Sequence, residues 1–194
     1  MLVVKLSQGM ARQNTQRLLE LADLVDAPLR HAPEFIWDDV MPDGAKIHGK
    51  WDHSLVAFQG DRIVGLALGY ERSADDPHSE SYGLYAVSEL HLSLLAVDPL
   101  HQGVGIGKTL LFYFARAAIR SPFYWSLPGP IGYIGLTTDA ENNEGPQRLY
   151  RSFGLEEVGR QPRSGVNKII MRAPLGAIEA SSAYKKLALV VGSA

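Results

Sequence analysis

A single-domain α/β (α+β) fold is what the sequence predicts, from three observations. Short apolar runs of strand character alternate with segments whose apolar residues recur at 3–4 spacing. A glycine-rich turn joins one of those strands to one of those helices. The chain of 194 residues, 46% apolar and 21% charged, is long enough to bury one core and too short for several.

The elements follow in order. Val3 and Val4 begin a short strand. Leu18, Leu21, Ala22 and Val25 keep helical spacing, which predicts an amphipathic helix over Asn14–Val25 with Asn14 as its cap. Leu55–Phe58 and Ile63–Leu68 flank Gly60-Asp61, a hairpin signal. Glu89–Val97 is a strand that sets Glu89, His91 and Ser93 on one face and Leu90, Leu92 and Leu94 on the other. Leu94-Leu95-Ala96 interrupts the alternation, the mark of a bulge or of burial on both faces. A helix from Gly107 to Arg120 carries the stripe Leu110, Leu111, Phe114, Ala117 and Ala118. Ile131–Thr138 is the next strand, and a short helix over Pro146–Phe153 ends at Gly154. Leu155–Gly159 and Lys168–Met171 form a last strand pair. The domain is expected to span 1–172, followed by a tail at 173–194 without clear period, in which Lys185–Val190 suit a terminal helix or an oligomer contact.

The turn Gln102-Gly103-Val104-Gly105-Ile106-Gly107-Lys108 gathers backbone N–H groups at a helix start, where the helix dipole adds positive charge. Phosphates bind such places. The P-loop pattern wants glycine where Gln102 stands, and the dinucleotide pattern wants glycine where Lys108 stands, so both templates fail. A third pattern, Q/R-x-x-G-x-G/A, fits Gln102, Gly105 and Gly107.

With that pattern the sequence resembles the GNAT acetyltransferase superfamily. The resemblance covers residues 54–171, including the Val97-Asp98-Pro99 exit, the Lys108-Thr109-Leu110-Leu111 helix start and a second block of Asn143 with Leu149-Tyr150-Arg151-Ser152-Phe153-Gly154-Leu155. Pro146 and Leu155 replace the usual Ala and Phe of that block. The resemblance implies a splayed, mixed sheet flanked by helices and acetyl-CoA as co-substrate. The backbone of Leu95, Ala96 and Val97 would pair with the pantetheine arm. Amides of Gln102, Gly103, Val104, Gly105, Ile106, Gly107 and Lys108 would hold the pyrophosphate, with a hydroxyl from Thr109 and a contact from Asn143. Tyr150 matches the family tyrosine that protonates the departing sulfur, and a phenol near pKa ~10 is close to a thiolate in proton affinity.

Acyl transfer to an amine also needs a base. Glu89, His91 and Ser93 share the strand face that would supply it. His91-Leu92-Ser93-Leu94-Leu95-Ala96-Val97-Asp98 resembles a strand of aralkylamine N-acetyltransferases, in which two alternate histidines relay the proton. His91 matches the first and Ser93 stands at the second, so His91 would act alone through water, with Glu89 as a supporting or competing base.

The acceptor would be a primary amine of a small molecule or peptide. Acidic residues at 26–53 and 71–85 (Asp26, Glu34, Asp38, Asp39, Asp43, Asp75, Asp76, Glu80) suit a cationic one. Trp37, Trp51, Phe123, Tyr124 and Trp125 would supply an apolar or cation–π wall. The net charge of −2, without a basic cluster, points away from nucleic acid. No apolar run is long enough to span a bilayer. With no cysteines, thiolate metal sites and a Cys nucleophile are excluded. The histidines show no metal-ligand spacing, and a cytoplasmic location is expected. A homodimer through C-terminal strands is a family expectation. The competing reading is a GNAT-like domain that binds or senses acetyl-CoA without turnover.

Overall fold

A computed structural model describes residues 1–25, 34–39, 47–72, 88–120, 131–141, 143–163 and 165–192. In chain order the strands are β1 (Leu2–Lys5), β2 (Leu55–Gln59), β3 (Arg62–Arg72), β4 (Ser88–Val97), β5 (Ile131–Asp139), β6 (Glu156–Arg163) and β7 (Val166–Pro174). The helices are α1 (Gln8–Gln13), α2 (Thr15–Ala22), the single turns α3 (Glu34–Trp37) and α4 (Lys50–His53), α5 (Ile106–Arg120), α6 (Glu144–Ser152), α7 (Leu175–Ala180) and α8 (Ser182–Gly192). The seven strands make one sheet in the order β1-β2-β3-β4-β5-β7-β6. β4 and β5 run parallel, whereas β1–β2, β2–β3, β5–β7 and β6–β7 are antiparallel, so the sheet is mixed as expected.

The chain resolves into two compact units, one of 1–71 with 93–114 and one of 72–92 with 115–194. In the first, Gly60 takes φ +59° and turns the chain between β2 and β3, the hairpin the Gly60-Asp61 pair predicts. Leu66, Leu68 and Tyr70 of β3 pack with Leu18, Leu21 and Ala22 of α2 in one buried cluster. Gly65 and Gly69 leave room for α5. A Cβ on Gly65 would stand 2.9 Å from Ile106 Cγ2 and Leu110 Cδ1, and one on Gly69 would strike the Phe114 ring. The expected helix over Asn14–Val25 is α2, which stops at Ala22, and a further helix, α1, precedes it. Ser7 caps α1 by accepting from Met10 N at 3.2 Å.

In the second unit β5, β7 and β6 form an antiparallel ladder, and the Ser88–Leu92 half of β4 joins it beside β5. β6 and β7 are longer than the apolar runs suggest. α6 begins at Glu144, two residues before Pro146, because a proline in the first turn removes an N–H that has no intrahelical partner. Gly154 at φ +85° ends it. The C-terminal segment is ordered into α7 and α8, with Ile178, Ala183 and Tyr184 buried. Among the described residues no helix is long and apolar enough to cross a membrane.

Along β4 the alternation persists. Leu90, Leu92, Leu94 and Ala96 are buried, while Ser93, Leu95 and Val97 are half-buried. Glu89 and His91 are buried too, so the strand is covered on both faces at its start rather than at Leu94–Ala96. The register shift of the β4–β5 ladder lies between Ser88 and Glu89, and its last pair is Leu92↔Leu136.

Candidate active site

The glycine turn of the first unit is built from its base upward. Asp98, buried at the exit of β4, receives the Leu100 amide at 2.9 Å and caps the 3₁₀ turn Pro99–His101. Arg17 Nη2 and Arg62 Nη2 (3.2 Å for the latter) both donate to its Oδ2, and Arg17 Nε donates to the Ile63 carbonyl at 2.9 Å. The Leu100 amide, with Arg17 and His101, holds the Asp98 carboxyl below the usual range. Asp98 therefore ties α2 and β3 to the strand end from which the turn departs. Gln102 Nε2 then donates to the Val97 carbonyl at 3.1 Å, closing the turn on itself.

Gly103 and Gly105 take φ +80° and +90°, and a Cβ on either would meet no atom within 4 Å. Glycine is required there by backbone conformation rather than by space. Thr109 N–H makes the first α5 bond, to Gly105 O at 2.9 Å, so the amides of Ile106, Gly107 and Lys108 precede the helical ladder at the positive end of a 15-residue helix. Unbonded N–H groups at a helix start suit an anion, and Gln102–Gly105 lie exposed beside them. The Thr109 hydroxyl, expected to serve a phosphate, donates to Gly105 O at 3.0 Å. Leu95 and Val97 are half-buried and Ala96 is buried.

The second unit holds the other candidates. Asn143 lies at the N-cap of α6, where its Nδ2 donates to Thr138 Oγ1 of β5 at 2.6 Å. Gln147 Nε2 donates to Asp139 O at 2.8 Å, so the start of α6 is stitched to the end of β5. Tyr150 is buried on α6, and burial pushes its phenol up to about 12. It is a weaker acid than the free phenol assumed from sequence, and it stays protonated at neutral pH.

Glu89 and His91 meet on β4. His91 Nδ1–H donates to Glu89 Oε1 at 3.0 Å, and both side chains are buried. An ionised carboxylate can only accept, which puts the ring proton on Nδ1 and, in the neutral ring, the lone pair on Nε2. Arg172 Nε of β7 donates to Glu89 Oε2, and Arg72 Nη1 lies 3.9 Å from Oε1. Burial alone would raise the Glu89 pKa. The His91 hydrogen bond and the charges of His91, Arg172 and Arg72 outweigh it and hold the carboxyl at about 2. A carboxylate so stabilised is a poor proton acceptor in its own right, and its contacts suit the supporting role expected of Glu89 better than the competing one.

Three contributors escaped the sequence reading: Arg172, Arg72 and Gly135. A Cβ on Gly135 would fall onto the Glu89 carboxyl, so the glycine makes the space that the carboxyl fills. The one available signal was Arg172 itself, a lone charge inside the apolar run Ile169-Ile170-Met171-Arg172-Ala173.

At the expected acceptor rim, the Trp51 ring is covered by the chain's own Lys50 ammonium, 4.6 Å from its centroid, and Lys50 donates to the Asp38 carbonyl. Burial lowers the Lys50 pKa to about 8 against the pull of Asp38 and Asp39. Trp37 packs on the core cluster. Asp26, Asp43, Asp75, Asp76, Glu80, Phe123, Tyr124 and Trp125, and the side chain of Glu34, lie outside the described residues.

Comparison with known proteins bears on the family of the chain. Residues 50–157 match the family model described as an acetyltransferase (GNAT) domain. N-alpha-acetyltransferase RimI of Mycobacterium tuberculosis is 30% identical over 178 residues, covering 87% of this chain and 91% of that protein. Among solved structures, Arabidopsis thaliana NAA60 in complex with a bisubstrate analogue aligns with a TM-score of 0.64 at 15% identity, over 89% of this chain and 97% of that one. The ribosomal-protein-S18-alanine N-acetyltransferase of Escherichia coli aligns at 0.57 and 17%, over 90% and 93%. These two likenesses concern the fold, whereas the family model covers over half of the chain and RimI nearly all of it: the chain belongs to the GNAT acetyltransferase family.

Proposed function

We propose that the chain transfers an acetyl group from acetyl-CoA to a primary amine, with the α-amine of a peptide or protein as the favoured acceptor class. Acetyl-CoA supplies the activated acetyl thioester. The amides of Gly103–Lys108 hold its pyrophosphate, and the backbone of Leu95–Val97, beyond the last β4–β5 pair at Leu92, receives the pantetheine arm. His91 Nε2 takes the proton the amine must lose, through water, while Glu89 keeps the opposite ring nitrogen protonated and the ring oriented. Tyr150 returns a proton to sulfur as the C–S bond breaks and the C–N bond forms.

Two considerations favour an α-amine. An α-amino group near pKa ~8 loses its proton to an imidazole far more readily than a lysine near ~10.4 does. The relative at 30% identity is named for Nα-acetylation.

The observation that carries the reading is the Glu89–His91 pair. A glycine turn alone suits a sensor of acetyl-CoA equally well, whereas an imidazole locked in one tautomer by a buried carboxylate has a use in proton transfer. The experiment is release of CoA thiol from acetyl-CoA against a panel of peptides with free N-termini, the same peptides blocked there but carrying lysine, and small amines. Turnover confined to free N-termini supports the full reading. Turnover on small amines alone removes the peptide preference, and binding of acetyl-CoA without turnover on any acceptor favours the sensor.

A further inference from the structure

His91 on β4, Gly135 on β5 and Arg172 on β7 stand in register, one row across three neighbouring strands. Because Gly135 has no side chain, the row has a gap, and the Glu89 carboxyl lies in it, flanked by the His91 ring and the Arg172 guanidinium. Both ends of the carboxylate are engaged, Oε1 by His91 and Oε2 by Arg172. The Arg172 side chain is 3% exposed and that of Glu89 4%, so solvent does little to screen the pair.

We infer that Arg172 is a positioning residue, which acts on the base His91 through Glu89: it fixes the carboxylate over Gly135 and lowers the proton affinity of the Glu89–His91 pair. The inference rests on the reading of His91 as the base. Without a cation at this place, the pair would take up a further proton from solvent at higher pH, and that proton would occupy the position that must accept one from the amine. The described charged and titratable groups around the pair are Arg72 at the end of β3, Arg172 on β7, Tyr133 opposite Glu89 on β5, and Glu156 opposite Arg172 on β6. Arg172 alone among them hydrogen-bonds the second carboxylate oxygen. An arginine suits the task because it stays charged when buried.

The test is a double-mutant cycle read by pH–rate profiles of the whole chain with acetyl-CoA and an acceptor it turns over. In Arg172→Gln the acid limb of kcat/KM should move up by about one pH unit, since removing a nearby cation raises the proton affinity of the pair. Arg172→Lys should return the limb towards its original place. Glu89→Gln/Arg172→Gln removes both charges together, which spares the fold an unpaired buried carboxylate. Its kcat should lie within about twofold of Glu89→Gln alone, the sign that Arg172 works through Glu89.

An unmoved acid limb in folded Arg172→Gln overturns the inference, and so do losses that multiply in the double variant. Should Arg172→Gln fail to fold, the double variant against Glu89→Gln decides: equality supports the role and a further loss overturns it. His91→Ala in the same series separates the two claims. If it turns over like the wild type, the base assignment falls and the role of Arg172 with it. If it is inactive while the Arg172→Gln limb stays put, only the role of Arg172 falls.

Discussion

Glu89 Oε1 accepts the Nδ1 proton of His91 at 3.0 Å, two residues along the same strand, and both side chains are buried. In the proposed reaction the pair divides labour that the strand pattern left undivided: the carboxylate orients and the imidazole exchanges the proton. Glu89→Gln keeps the shape and loses the charge. Its kcat should fall ~10²-fold or more. The acid limb of its pH–rate profile should move to lower pH, because the ring no longer has an anion to favour its protonated form. Acetyl-CoA affinity, measured by calorimetry, should stay within about threefold.

Gly135→Ala sets a methyl group where the Glu89 carboxyl lies. The expected cost is about 1–3 kcal/mol of stability by denaturant unfolding, together with a fall in kcat as the carboxyl is displaced from His91. Gly176→Ala in α7, where a Cβ meets nothing within 4 Å, is the control and should be stabilising by about 0.5–1 kcal/mol.

Gly105→Ala adds no clash but asks a residue with a side chain to hold φ +90°. The strain, about 1–2 kcal/mol, is relieved by turning the peptide, which re-aims the amides of the cradle. The apparent Kd for acetyl-CoA should rise ~10-fold or more while kcat at saturation changes less.

Tyr150 titrates near 12 because the phenolate would be buried. A group whose folded pKa is raised stabilises the fold fully below its unfolded value, near ~10, and that contribution is lost as pH rises through 12. Ultraviolet titration should show a late-ionising tyrosine that disappears in Tyr150→Phe, and the alkaline loss of stability should be shallower in the variant. Its kcat should fall with acetyl-CoA affinity retained, and equal kcat in the two proteins would remove Tyr150 from the chemistry.

What the sequence made legible was local. Gly60-Asp61 specifies a hairpin through the backbone freedom of one residue, and Gly103 and Gly105 specify the turn before α5 in the same way. The stripe along α5 is legible because Leu110 and Phe114 lie at i and i+4, against Gly65 and Gly69 of β3. α1 was missed because only Met10 and Ala11 mark its apolar side, and its real signal was the Ser7 cap. α6 was misread at Pro146 because proline reads as a boundary although a first turn tolerates it. α7 and α8 hide because so few of their residues are buried that no period emerges.

The site was half legible for the same reason. Glu89 and His91 are neighbours by strand alternation, a matter of two residues. Arg172 reaches Glu89 across 83 positions of sequence, by way of two strand registers and the absence of a side chain at Gly135. Both registers join strands far apart in the chain, so no hairpin turn fixes them locally. Without Arg172 in view, the supporting and competing roles of Glu89 are equally open.

The proton transfer from the acceptor amine to His91 is read in the single-turnover rate of acetyl transfer at saturating acetyl-CoA, compared between the wild type and His91→Ala. The expected loss is ~10²–10⁴-fold with acetyl-CoA affinity unchanged, and part of the rate should recover as pH is raised and the amine deprotonates unaided. A His91→Ala protein that transfers acetyl at the wild-type rate with the wild-type pH dependence would contradict it.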